Sequence, residues 1–234
     1  MPSITSLLSY AAITLLATSQ LCAATPVPIV QIRTRDSPRL PSTGTGPQLP
    51  APGTNRILKF VTLGRGVQNY TCAGDCASPV AVGAIAEIFD ITAFARASPA
   101  SPKFIGLPGA ATYLTLPDVQ KLLNTCMPSG SHAAVIGKHY FNSAGVPTFD
   151  LSVKGKKLLS KLVSKVDAPS GANAGPAGTG AVPWLKLDDA GGSAGLKEVY
   201  RVFTAGGKPP SSCSGKKAGK VFTVEYAAMY WFYG

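Results

Sequence analysis

Histidine is the scarcest reactive side chain in this sequence: only His132 and His139 occur among 234 residues. They stand seven apart across the start of an expected strand, so nothing brings them together on a metal, and no carboxylate is in view to orient either ring. Acid is scarce as well, with 11 Asp and Glu against 22 Lys and Arg. A Gly-x-Ser-x-Gly nucleophile elbow is missing. So is a second close pair of Cys or His that would turn Cys72-Ala73-Gly74-Asp75-Cys76 into a zinc site. The glycine turn of a dinucleotide site fails at its third position, where Asn69 stands in GRGVQN, and it opens a strand rather than a helix. No segment reaches the ~20 apolar residues that span a bilayer, and there is neither a solenoid repeat nor a heptad. No cofactor, metal or transmembrane segment is expected.

What is present points to export. Residues 1–24 hold an apolar run, Leu7 to Leu16, followed by small residues at Ala23 and Ala24, the pattern of a secretory signal peptide. About 210 residues remain, enough for a single β domain over 55–234 behind a tail. Every Lys and Arg lies after residue 24, so the mature chain keeps the whole net charge of +11. Such a surface attracts polyanions; for an exported protein these are acidic wall polysaccharides, phosphomannans or membrane headgroups, ahead of nucleic acid. Residues 25–54 are rich in Pro, Thr, Ser and Gly and read as a linker or pro-segment too poor in apolar surface to order itself.

From Ile57 onward the pattern is of short strands. Ile57–Leu63 alternates; a Gly64-x-Gly66 turn then leads into an organising strand ending at Cys72, with Gln68 and Tyr70 on one face and Asn69 and Thr71 on the other. Asn69-Tyr70-Thr71 is an N-glycosylation sequon. Val80–Phe89 is a second apolar run, and residues 95–109 read as a Pro/Gly-punctuated loop. Residues 117–125 are the one expected helix, capped by Thr115. Strands follow at 133–141 and 148–153, joined by a turn at 142–145. Between Lys154 and Val166 the four-residue spacing of Leu158, Leu162 and Val166 suits a helix, while the β context favours a strand. A mobile loop is expected at 168–181, then strands at 182–187, 197–204 and 220–232. The last is apolar on both faces and so should be covered on both sides. The fold class is all-β, a sandwich or partly closed barrel of eight to ten short strands with one short helix and a disordered N-terminal tail.

Five segments in order, GRGVQNYTC, GKHYF, VPWLKL, VYRVFTAGGKPPSSC and VEYAAMYWFY, resemble the fungal and bacterial secreted proteins grouped as domain of unknown function 3455. The resemblance spans roughly residues 55–234 and implies a shared fold and export, without an established chemistry. Some members carry a malate dehydrogenase label, which the failed glycine turn argues against. In an oxidising compartment Cys72, Cys76, Cys126 and Cys213 allow three pairings. We expect Cys72–Cys213 and Cys76–Cys126, because a Cys72–Cys76 bridge closes only a tiny loop.

Aromatic rings beside amide and guanidinium groups suit a binding face, so Gln68, Tyr70, His139, Trp184 and Arg201 are the candidate ligand-binding residues. The expected function is a secreted, wall-associated, monomeric binder of carbohydrate or of another anionic or aromatic ligand, without catalysis. The alternative is an enzyme using His139 and a carboxylate such as Asp150 as acid and base.

Overall fold

The computed structural model describes residues 37–234. The leader reading and the first part of the linker lie outside the described residues. The organising segment is one unbroken strand rather than two: β1 runs from Leu58 to Thr71 straight through both glycines. Gly64 and Gly66 serve close approach instead of turning. A Cβ at Gly64 would fall on the Tyr230 ring, and one at Gly66 would lie 2.6 Å from the Ala86 Cα. Only glycine lets the neighbouring strands come this near.

Seven further strands follow: β2 (Val80–Asp90), β3 (Val135–Phe141), β4 (Pro147–Leu151), β5 (Lys156–Val166), β6 (Trp184–Asp189), β7 (Glu198–Gly206) and β8 (Val221–Tyr233). Each pairs antiparallel with its successor in the chain, and β1 also pairs with β8 from Leu58↔Tyr233 to Thr71↔Val221. The sheet is therefore a closed up-and-down barrel of eight strands, with no free edge. The expected turn at 142–145 is present, with Gly145 N–H donating to the Asn142 carbonyl at 2.9 Å. Residues 156–166 are strand: Leu158 and Ser160 point inward and are buried, while Leu162 is exposed, so tertiary pairing overrides the four-residue spacing.

Closure creates two apolar compartments. The lumen is filled by Ile88, Phe149, Leu158, Val199, Tyr230 and Phe232 among others. The second lies outside the barrel, where Val61, Leu63, Val202, Met229 and Trp231 on the outer faces of β1, β7 and β8 pack against a helical insertion between β2 and β3. Because β8 serves both compartments, every residue from Tyr226 to Tyr233 is buried, as its two apolar faces require.

That insertion has three helices where one was expected: α1 (Thr92–Ala97), α2 (Pro102–Ala111) and α3 (Leu116–Cys126). The third matches the expected helix, with Thr115 capping the Asp118 amide. The Pro/Gly loop reading of 95–109 is corrected. Ser101 caps α2 by accepting from Phe104 N–H at 3.1 Å, and Pro102 sits in the first turn, where its missing N–H costs nothing. Pro108 is tolerated because Phe104, Leu107 and Ala111 bury one face of α2 against the barrel. Arg65, from the Gly-Arg-Gly motif, fixes the other end: its Nε donates to the Ala111 carbonyl at 2.9 Å and to Leu114 at 3.2 Å, and its Nη1 pairs with Glu225. A cation on the last carbonyls of a helix complements the dipole there.

Residues 37–54 are docked on the barrel, contrary to the linker reading. Tyr200 Oη donates to the Pro50 carbonyl (2.9 Å), and Lys186 Nζ to Ala51 (3.0 Å). The buried Glu198 carboxylate accepts from Gly53 N–H (3.1 Å) and faces Arg56 and Lys186. The 168–181 loop, expected to be mobile, is tied to the barrel by Gly206 N–H donating to Asn173 and Val182 N–H to Gly206, both at 2.9 Å.

The Cys72–Cys213 disulfide is present, with Cα atoms 5.9 Å apart, and it pins the β7–β8 loop to the end of β1. The expected Cys76–Cys126 bridge is not formed. Cys76 lies exposed in the loop after β1 and Cys126 at the end of α3, both free. The bridge that forms spans 141 residues, for which chain entropy gives about 5 kcal/mol. Reduction or Cys213→Ser should therefore lower the unfolding free energy in urea by up to about 5 kcal/mol, whereas Cys76→Ser should leave it nearly unchanged. Glu198→Ala, which strands Lys186 under the docked segment, should cost about 3 kcal/mol and open residues 50–56 to limited proteolysis.

Candidate functional site

Strand alternation and register decide which side chains enter the lumen. Ala86 faces in and pairs with His139, His139 pairs with Phe149, and Arg201 pairs with Tyr230. Gln68 enters from β1 on the same side. These strands thus bring Gln68, His139 and Arg201 into one cavity of about 260 Å³. Tyr230 also lines it; the remaining walls are apolar, built from Ala84, Phe141, Pro147, Phe149, Leu185 and Leu187, and the exposed Leu162 lies at its rim.

Each polar group there keeps unused capacity. Arg201 Nε and Nη2 donate to the Pro183 carbonyl at 3.2 and 2.9 Å, and no carboxylate pairs with the guanidinium among the described residues. Gln68 is 7% exposed, and its Nε2 is buried with no acceptor within 3.5 Å, the Tyr226 hydroxyl being its nearby polar neighbour. His139 Nδ1 lies 3.0 Å from the Thr148 carbonyl, which can only accept, so Nδ1 carries the proton and Nε2 is a bare acceptor. The His139 ring stacks on Phe149, with centroids 4.2 Å apart. Burial pushes its pKa down to about 4, and the Arg201 charge pushes the same way against the Thr148 hydrogen bond. The ring is neutral at physiological pH, which leaves Arg201 as the single charge lining the cavity. Deeper in, Tyr226 and Tyr230 share a hydroxyl–hydroxyl bond of 2.9 Å. Burial raises both phenols, with Tyr230 adding to the rise at Tyr226; the Arg201 charge opposes it at both, as do the Gln68 amide beside Tyr226 and the Arg201 guanidinium beside Tyr230.

The other expected site residues are distributed differently. Tyr70 is on the inward face beyond Gln68, its hydroxyl donating to Gly207 at 2.7 Å and its ring stacked on Phe222, at the end of the barrel held by the disulfide. Trp184 is on the outer face and lines a separate cavity. Asp150 points outward, opposite Lys138, and accepts from Ser152 N–H at 3.1 Å. His139 and Asp150 thus lie on opposite faces of one sheet, and the expected acid–base pair is not assembled. Asn69 is on the outward face, half-buried near the end of β1. Among the described residues no group of three His, Cys, Asp or Glu is gathered as for a metal, and no helix is long and apolar enough to cross a membrane.

Fold and site together define a closed antiparallel barrel whose apolar lumen ends in a cluster of one guanidinium, one amide and one neutral imidazole. The chain belongs to the family described as protein of unknown function (DUF3455), which it matches over residues 52–234. No curated protein and no solved structure matches it significantly.

The burial of His139 has a pH signature. As pH falls below 6.5 the unfolded chain takes up a proton that the folded ring refuses until about 4, so stability is intact above 6.5 and declines across that window, by about 3 kcal/mol in all. Urea titrations through this range should show the decline in the wild type and a correspondingly shallower one in His139→Gln. Equal slopes would mean that the ring is not held neutral in the barrel.

Proposed function

We propose that this protein is an exported, non-catalytic binder whose barrel takes a small monoanion with a flat apolar body, of the aryl carboxylate kind. The observation that carries this reading is a guanidinium in an apolar cavity: Arg201 has donors left beyond its two bonds to the Pro183 carbonyl and no carboxylate partner, with the Gln68 amide in the same lining. A carboxylate can take the donors that Arg201 has left, since a guanidinium offers it a planar fork. The apolar walls, with the stacked Phe149 and His139 rings, suit an aromatic body. His139 Nε2 is placed to accept from a ligand hydroxyl.

A carbohydrate fits less well, because about seven of the lining residues are apolar and would strip water from sugar hydroxyls without replacing it. An anion also agrees with the net charge of +11, which raises the local concentration of anionic ligands and holds the protein against wall polyanions. The leader-like first 24 residues support export.

Isothermal titration with benzoate and with benzamide at neutral pH separates charge from shape. Benzoate should bind, benzamide should bind at least tenfold more weakly, and Arg201→Leu should remove the difference, the loss expected for one charge-assisted pair. Equal binding of the two, or binding of neither, would overturn the reading.

A further inference from the structure

One end of the barrel gathers apolar side chains that neither core takes in. It is the end where β1, β3, β5 and β7 finish and β2, β4, β6 and β8 begin. Thr71 has Val80 and Val221 as its register partners on either side, and both are exposed. Further round, Val82 lies at the start of β2, Phe141 at the end of β3, and Leu162 and Val163 towards the end of β5. Phe141 is 39% exposed and each of the other five at least 46%. Phe141 and Leu162 also line the lumen cavity, so this apolar cluster surrounds its mouth.

The same end is basic. Lys165 stands next to last in β5, and the β7–β8 loop carries Lys208, Lys216, Lys217 and Lys220. None of these lysines pairs with a carboxylate among the described residues, and the acids in the loops at that end are Asp75 and Asp167. The Cys72–Cys213 disulfide, with a 2.8 Å bond from Gly219 N–H to the Cys72 carbonyl, holds the lysine-bearing loop against the barrel, so its charges stay beside the apolar rim. Exposed apolar residues are ordinary singly, but a cluster of them marks a docking face. Lysine is depleted from protein–protein interfaces, and a hydrated polysaccharide offers aliphatic side chains no hydrocarbon to enter. An anionic bilayer uses both groups, since lysines meet the headgroup charge while apolar side chains enter the acyl boundary beneath it.

We propose that this end of the barrel docks on an anionic lipid bilayer, with the six apolar side chains entering the interface and the lysines seated on the headgroups. Docked in this way, the mouth of the lumen faces the membrane rather than bulk water. The proposal does not rest on which ligand the lumen takes.

Flotation with vesicles of equimolar phosphatidylcholine and phosphatidylserine, and of phosphatidylcholine alone, tests it. Wild-type protein should bind the mixed vesicles at least about tenfold more tightly, since each lysine near an anionic surface adds about fivefold in affinity. Lys216→Gln with Lys217→Gln and Lys220→Gln should weaken that binding about a hundredfold. Leu162→Gln with Val163→Thr keeps every charge and should weaken it at least about tenfold. Val153→Thr, at the opposite end of the barrel between β4 and β5, should leave it unchanged. All of the substituted side chains are exposed, so the variants should keep the wild-type circular dichroism spectrum. Failure of wild type to bind the mixed vesicles, or equal binding to both lipids, would overturn the proposal. So would loss in the lysine variant alone, which would assign the face to a polyanion such as an acidic polysaccharide, or a dimer in solution that Leu162→Gln with Val163→Thr dissociates, which would assign it to a second copy of the chain.

Discussion

Everything in this structure depends on how closely β1 can approach its two neighbours. The strand is sandwiched between β2 and β8 along nearly its whole length, and the two glycines at its centre are what the ring of strands closes upon. With a side chain at Gly66 the β2 backbone could not come within hydrogen-bonding distance; with one at Gly64 the Tyr230 ring would be displaced from the lumen. Closure gives the lumen its fixed volume and gives β8 two buried faces. The motif residue between those glycines, Arg65, then faces outward and holds the helical insertion against the same strand.

Much of this was legible in the sequence because it rests on alternation. Period-two patterning placed the strands, the apolar runs on both faces of 224–233 marked β8 as doubly covered, and Gln68 and Tyr70 were correctly put on one face. The convergence of Gln68, His139 and Arg201 was less visible, since it depends on register across β1, β3 and β7, and register is set by pairing partners that a single chain does not display. The pairing of His139 with Asp150 failed for the same reason: they are eleven residues apart in sequence, but the hairpin puts them on opposite faces.

Other features were hidden by ambiguous signals. Proline at 99, 102 and 108 and glycine at 106 and 109 look like loop punctuation, yet Ser101-Pro102 is also how a helix begins, and the barrel wall supplies the burial that lets α2 persist. The docked segment 37–54 carries few apolar residues. It is held largely by main-chain groups meeting Glu198, Lys186 and Tyr200, and main-chain hydrogen bonding leaves little trace in composition. The second disulfide was inferred from an even cysteine count; the fold places Cys76 and Cys126 on separate peripheral elements, and parity says nothing about distance.

The Cys72–Cys213 disulfide encloses β2 through β7 and the three helices of the insertion in one covalent ring, from which β1 and β8 emerge side by side. A peptide bond broken anywhere inside that ring leaves one connected molecule, with both of its arms still paired to each other and to the strands beside them. The helical insertion, the 168–181 loop and the β3–β4 turn can thus each be nicked without releasing a fragment. For a barrel whose most elaborate loops all lie between its two bridged cysteines, a protease has to cut twice within them before any part of the barrel is released.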